Sequence, residues 1–360
     1  MPPSPRRILL VRLSHLGDVL HALPLFHALR SAYPEARIAW AVQPEHADLL
    51  EGLPGLTRLL RFERDGGWRA WPRLWRELRA FRPDWTLDAQ GNLKSAAVTR
   101  LSGAPRRTGW DASDWREGAG AWVVNDRAPA LTESPVHAVE RVLHLAAHAT
   151  GLGRDGVLGT LPADWLGLEE ARRSAGERQW RERLGEGSAP RVVLQLAAPG
   201  DVRAWPVEHQ LTLLRELAAA GCEVLALSGP AEADLGARVE AELAGEERVH
   251  HWVGQRGLRR LAAFLQAGAA AGAHFVGCDS GPLHLAWVAG MPVVGLAGPQ
   301  DERRTGPWSP VDTSSPHRVV RTREPLTCTP CLSRRCAHEK GPVCMTGLQP
   351  ADVLAALGLD

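Results

Sequence analysis

Three kinds of reactive group stand at the ends of apolar runs in this 360-residue chain: carboxylates, a few cations, and one tight turn. Asp18 closes the stretch Val11-Arg12-Leu13-Ser14-His15-Leu16-Gly17-Asp18, directly after the strand-like run Ile8 to Arg12. A carboxylate at the C-terminal end of a parallel strand stands where open α/β sheets bind ligands, and there it can take a proton as a general base. The same aspartate can cap the free N–H groups of a helix running to about Tyr33, and the two roles are compatible. His21, three residues on, reads as a packing residue rather than a catalyst.

The second constellation is Val276 to Pro299, which reads as strand, turn, short helix, strand. In its turn, Asp279-Ser280-Gly281-Pro282, the proline suits a first helical turn, where its missing N–H is no loss. The free amides and the helix dipole favour an anion, with His284 facing the same edge; an ordinary crossover turn is the plainer reading. Arg203 lies in the loop Pro199 to Pro206, where it either clamps a phosphate bidentately or is a surface arginine. Lys94, one of two lysines in the chain, follows the strand Trp85 to Asp88 and is an anion-binding candidate. Finally, Cys328-x2-Cys331-x4-Cys336-x7-Cys344, with His338 inside, is compact enough to hold zinc, yet it lacks the paired CxxC…CxxC of a zinc ribbon. Reduced structural thiols are the reading that spacing favours.

The elements that must position these groups alternate. Strand-like runs at Arg37 to Val42, Thr57 to Phe62 and Trp85 to Asp88 are separated by helical patterns, the signature of an α/β fold with a parallel sheet covered on both faces. A second series follows, with strands at Arg191 to Ala197, Glu223 to Leu227 and Arg248 to Val253. Trp68 to Arg82 places Trp68, Trp71, Leu74, Trp75, Leu78 and Phe81 along one helical stripe, read as a core stripe with a solvated arginine face; a membrane-surface role is the alternative. The expected organisation is a Rossmann-like half over 1–165, a helix and linker over 166–190, a second Rossmann-like half over 191–345 ending in the cysteine-rich tail, and a closing helix within 346–360. Neither half carries GxGxxG after its first strand, which weighs against a dehydrogenase.

Composition bounds the partners. A net charge of +1 argues against nucleic acid, and 44% hydrophobic with 23% charged residues is an ordinary globular balance. Residues 1–130 hold 19 Lys and Arg against 14 Asp and Glu, a local +5 that suits an anionic substrate or membrane surface, or simply a solvated face. With no apolar leader and six cysteines in a long chain, a reducing, cytoplasmic setting is expected, with peripheral contact at the inner face of the membrane as an option.

Six ordered segments together resemble one family: VRLSHLGDVLHALP at 11–24, DAQGNLKSA at 88–96, Arg203-x-Trp205-Pro206, GPAE at 229–232, DSGPLHLA at 279–286 and GPQDERRTGPW at 298–308. The family is glycosyltransferase family nine, the ADP-heptose:lipopolysaccharide heptosyltransferases, and the first-half motifs resemble heptosyltransferase I most. The resemblance implies the GT-B architecture, two Rossmann-like domains with parallel sheets facing across a cleft. It also implies inverting transfer of a heptose-type sugar from ADP-heptose to a lipopolysaccharide core or related glycolipid. On it, Asp18 is the base on the acceptor hydroxyl, and Arg203 stands where the family usually has a lysine on the donor phosphates. Glu232 holds the nucleoside, while Asp279, Ser280, Gly281 and His284 meet the sugar and pyrophosphate. Ser14, Gly17 and Lys94 fall to the acceptor or anion side.

No DxD-type motif is present, so no metal or other cofactor is expected, and Arg203 with the helix start at Gly281 would stabilise the departing diphosphate. Ala197 and Ala198 replace the paired threonines of heptosyltransferase I, and Arg replaces Lys at 203, leaving donor identity open. Two rivals remain at this stage: a nucleotide-sugar epimerase or hydrolase of the same architecture, and a metal-binding protein built on Cys328, Cys331, Cys336 and Cys344.

Overall fold

A computed structural model describes residues 4–63, 66–310 and 315–359, with the side chains of 67–70 outside that description. Trp68 of the expected stripe therefore lies outside the described side chains. The chain divides into two compact units, Met1–Leu168 and Glu169–Asp360.

In the first unit six strands, β1 (Arg7–Val11), β2 (Arg37–Val42), β3 (Leu56–Arg61), β4 (Trp85–Asp88), β5 (Arg106–Gly109) and β6 (Asp126–Arg127), form one sheet in the order β3-β2-β1-β4-β5-β6. Every neighbouring pair is parallel. The central strand β1 is Arg-Ile-Leu-Leu-Val with its last four side chains fully buried, as a strand covered on both faces requires. Each buried Leu or Ile of this kind contributes roughly 1.5–3 kcal/mol.

In the second unit β7 (Arg191–Gln195), β8 (Glu223–Leu227), β9 (Val249–Trp252), β10 (His274–Cys278), β11 (Val293–Leu296) and β12 (Arg318–Val320) form another parallel sheet, ordered β12-β11-β10-β7-β8-β9. Counted from its own first strand, each unit thus has the doubly wound order 3-2-1-4-5-6. In such sheets the order reverses beside the first strand, and the crevice at that reversal is where ligands bind.

Two expectations change. The helix expected from Asp18 to about Tyr33 is two helices, Leu16–His21 and Leu23–Ala32, meeting at Ala22. Pro24 is the cause, since it offers no N–H to continue the first helix. Within 166–190, where a helix and linker were expected, a 15-residue helix, Glu170–Leu184, packs within the second unit against the helix Leu258–Ala270. Gly176 permits the approach: a Cβ there would fall 2.4 Å from the carbonyl oxygen of Ala263. Trp180 then stacks on Phe264 with ring centroids 4.8 Å apart. The stripe on the helix Gly67–Phe81 is narrower than expected: Leu74, Leu78 and Phe81 are buried and Trp71 packs at the core's edge, while Trp75 faces outward. Among the described residues no helix is long and apolar enough to cross a membrane.

Candidate active site

In the first unit the reversal lies between β1 and β4, where Val11 pairs with Asp88. The two loops leaving these strands are Arg12 to His15 and Ala89 to Asn92, and they are sewn together. The Ala89 amide donates to the Val11 carbonyl at 3.1 Å, the Leu13 amide donates to Gln90 Oε1 at 2.6 Å, and the Arg12 guanidinium donates to the Ala89 carbonyl. Asp88 shapes the second loop from inside. Fully buried, it accepts from the amides of Gln90 (3.0 Å) and Gly91 (2.9 Å) and from Thr99 Oγ1 (3.1 Å). Burial raises its pKa and these hydrogen bonds oppose the rise. Gly91, at φ +73°, supplies the left-handed turn this loop needs.

Asp18 occupies the third position of the helix Leu16–His21, where its Oδ2 accepts from the His15 amide at 3.0 Å. The helix is capped by His15, not begun by Asp18 as expected. The other carboxylate oxygen, Oδ1, pairs with Arg12 Nη2 at 2.7 Å, and the side chain keeps 37% of its surface open to solvent. His46, half-buried at the start of the helix Pro44–Leu50, feels both His15 and Asp18; burial depresses its pKa, so at neutral pH it is an uncharged imidazole. Lys94 is exposed in the first turn of the helix Leu93–Leu101, which Asn92 caps through the Ser95 amide at 2.9 Å. Ser14 is half-buried and Gly17 buried within the Asp18 turn.

In the second unit the reversal lies between β7 and β10, and it gathers Arg203, Asp279, Ser280 and His284. Ser280 Oγ donates to Gln195 Oε1, at the end of β7, at 2.6 Å. Gly277 makes this possible, because a Cβ there would stand 3.0 Å from that same oxygen. Arg203 Nη1 donates to the Asp279 carbonyl at 3.2 Å, while Nε and Nη2 grip Asp201 at 2.9 and 2.6 Å. The mutual hydrogen bonds hold the Asp201 carboxyl below, and the Arg203 guanidinium above, their ordinary pKa ranges. From Ser280 the helix Gly281–Val288 begins, with Pro282 in its first turn.

His284 is buried, its side chain 7% exposed. Its Nε2 stands 3.3 Å from Asp279 Oδ1 and its Nδ1 accepts from Trp287 Nε1 at 3.3 Å. With Nδ1 accepting from Trp287, Nε2 is the ring nitrogen that faces the Asp279 carboxylate. The imidazole therefore stands behind the carboxylate and orients it. Glu232, in the short turn Pro230–Glu232 beyond β8, is half-buried, with its carboxylate folded toward Gly229.

The tail differs in kind. Cys328, Cys331 and Cys336 are exposed and Cys344 is buried, and the four line one small pocket with His338. Among the described residues no three His, Cys, Asp or Glu side chains are arranged to hold a metal ion. Arg12, His46, Gln195 and Asp201 were not singled out from sequence as site groups. Arg12 sits inside a quoted motif and Asp201 two residues from Arg203, so proximity was the available signal. Gln195 lies 85 residues from Ser280 and gave none.

The sequence model described as glycosyltransferase family 9 (heptosyltransferase) matches residues 71–341. Lipopolysaccharide heptosyltransferase 1 of Pseudomonas aeruginosa is 27% identical, over 98% of this chain and 97% of that protein. The solved structure of E. coli heptosyltransferase WaaC with ADP matches with a TM-score of 0.66 and 25% identity, covering 87% of this chain and 92% of that one. The same enzyme with ADP-2-deoxy-2-fluoro heptose matches with a TM-score of 0.68 and 23% identity, over 98% and 99% of the two chains. Both WaaC matches span the two doubly wound sheets of a GT-B fold. With three quarters of its length matched by the family's sequence model, the chain belongs to glycosyltransferase family 9, the heptosyltransferases.

Proposed function

We propose that this glycosyltransferase moves heptose from ADP-heptose to a lipopolysaccharide-core acceptor with inversion, Asp18 serving as the base. The observation that carries the reading is the carboxylate of Asp18 at the strand reversal of the first sheet, partly open to solvent and paired with Arg12. Support for the donor comes from relatives named heptosyltransferase and from the ADP in the WaaC structure.

In the reaction the acceptor hydroxyl gives its proton to Asp18 as its oxygen attacks the anomeric carbon. The bond from that carbon to the β-phosphate oxygen breaks, its electrons leaving with ADP. Positive charge develops on the sugar ring, as in glycoside hydrolysis. Asp279, oriented by His284, accepts hydrogen bonds from sugar hydroxyls. Arg203 and the amides at Gly281 and Leu283 donate to the departing diphosphate, with Ser280 beside them and Glu232 on the nucleoside. A preorganised donor at such a leaving group is worth about 3 kcal/mol. Ser14, Gly17 and Lys94 serve the acceptor side. On this reading residues 1–165 form the acceptor domain and 191–345 the donor domain, and the enzyme works in the cytoplasm against the inner membrane face.

The test is Asp18→Asn. Turnover should fall by about 10²–10⁴ with ADP binding retained, the size expected for loss of a general base. Near-normal turnover in a folded variant would refute the assignment.

A further inference from the structure

Most of the exposed apolar surface that stands out in the first unit has no part in the chemistry above. Among the described residues the most exposed large apolar side chains are Trp122 (69%), Leu93 (52%) and Trp75 (44%). They belong to one face. Trp122 and Leu93 line a pocket of about 420 Å³ with Trp71, Arg100 and Leu101, and Trp75 lies one helical turn beyond Trp71 on the same side of its helix. Single exposed hydrophobes need no explanation, but two tryptophans and a leucine around an apolar pocket do.

The cations of this face are as informative. Arg79 lies over the Trp75 ring at 5.3 Å, and Arg100 lines the pocket itself. Among the described residues neither has a carboxylate within ion-pair distance, and the same holds for Arg76 and Lys94 on the same two helices. By contrast, Arg73 is matched by Glu63 and Glu77. Tryptophan beside unmatched arginine fits the boundary between headgroups and acyl chains, where an indole buries its ring and keeps its N–H wet. A second copy of this chain is a poor occupant, because an isologous contact would bring the same cations face to face.

We propose that this face, Trp75, Trp122 and Leu93 with Arg79 and Arg100, docks the enzyme on an anionic lipid bilayer. The apolar side chains enter the headgroup layer and the arginines meet lipid phosphates, so binding weakens with salt. The inference gives the membrane contact of the proposed function a location. It is tested without donor or acceptor, so its failure leaves the transfer reading standing.

The experiment is sedimentation of the full chain with vesicles of phosphatidylglycerol and phosphatidylethanolamine, against vesicles of phosphatidylcholine alone. Wild type should bind the anionic vesicles and release them as salt rises. Trp75→Ala with Trp122→Ala should weaken partitioning by about tenfold or more, and Arg79→Ala with Arg100→Ala should flatten the salt dependence. Leu152→Ala, exposed elsewhere in the same unit, should change neither. Circular dichroism and thermal melts confirm that the variants fold. The proposal is overturned if wild type ignores anionic vesicles or the tryptophan variant binds them unchanged. It is also overturned if the face instead drives self-association, seen as a concentration-dependent dimer that Trp122→Ala abolishes.

Discussion

A guanidinium already gripped by a carboxylate is a different phosphate ligand from a free one. Arg203 and Asp201 together carry no net charge, so Arg203 can offer a donor diphosphate directional N–H groups in a preset plane rather than a field. Arg203→Ala should weaken ADP binding roughly ten- to hundredfold, the cost of a charge-assisted hydrogen bond pair, as titration calorimetry would show. Unchanged affinity would remove Arg203 from the donor site. At this scale sequence reading singles out groups with distinctive chemistry, Asp18, Arg203 and Asp279, and is silent on the contacts that hold them. Arg12, Gln195 and Asp201 are ordinary residues whose importance lies in a contact, and the Gln195–Ser280 contact joins residues far apart in the chain. Cysteines carry a residue-scale prediction of their own. Burial pushes the Cys278 thiol up to about 12, so almost no thiolate exists at pH 8. Iodoacetamide should therefore alkylate exposed Cys328, Cys331 and Cys336 in the native protein while sparing Cys278 until denaturant is added, as mass spectrometry of peptides would report.

Strand β10 shows how an element serves a site. Its sequence His-Phe-Val-Gly-Cys reads as a buried strand, yet Gly277 also leaves room beside it, since a Cβ there would stand only 3.0 Å from Gln195 Oε1 and 3.1 Å from the Phe275 ring. Gly277→Ala should cost about 1–3 kcal/mol by overpacking and loosen Ser280 as well, measured by urea unfolding together with the donor KM. A stability loss with unaltered KM would separate the strand's packing from the turn. The strands legible in sequence are β1 to β4 in the first sheet and β7 to β11 in the second, the edge strands β3 and β9 included. β5, β6 and β12 went unseen because Arg-Arg-Thr-Gly, Asp-Arg and Arg-Val-Val are short and lie toward sheet edges, where ladder hydrogen bonds rather than hydrophobic pattern define a strand. The helix Gly67–Phe81 misled differently. Spacing alone puts Trp75 with the core, whereas packing needs only the narrower stripe of Leu74, Leu78 and Phe81.

Across the whole molecule, acid should act through histidine. Burial lowers His27, His46, His251, His274 and, most strongly, His317, which falls from 6.5 to about 4. Between those two values the unfolded chain binds a proton at His317 that the folded chain refuses, so lowering the pH favours unfolding. Stability should drop from pH 6.5 toward 4, with His317→Asn flattening the curve by of order 1–2 kcal/mol once solvent screening is allowed for. A parallel curve for the variant would exclude His317. The doubly wound class of each half was legible from alternating strands and helices. The strand order was not, because order is set by which crossovers pack and leaves little trace in local pattern. That shared order has a further consequence. Each half closes its own sheet and core and carries its own reactive loops at its own reversal, so the chain is built like a two-part instrument with interchangeable heads. If the second half is the donor domain, as proposed, replacing residues 169–360 with the matching half of a relative should retool which activated sugar is handled while leaving the Asp18 loop intact.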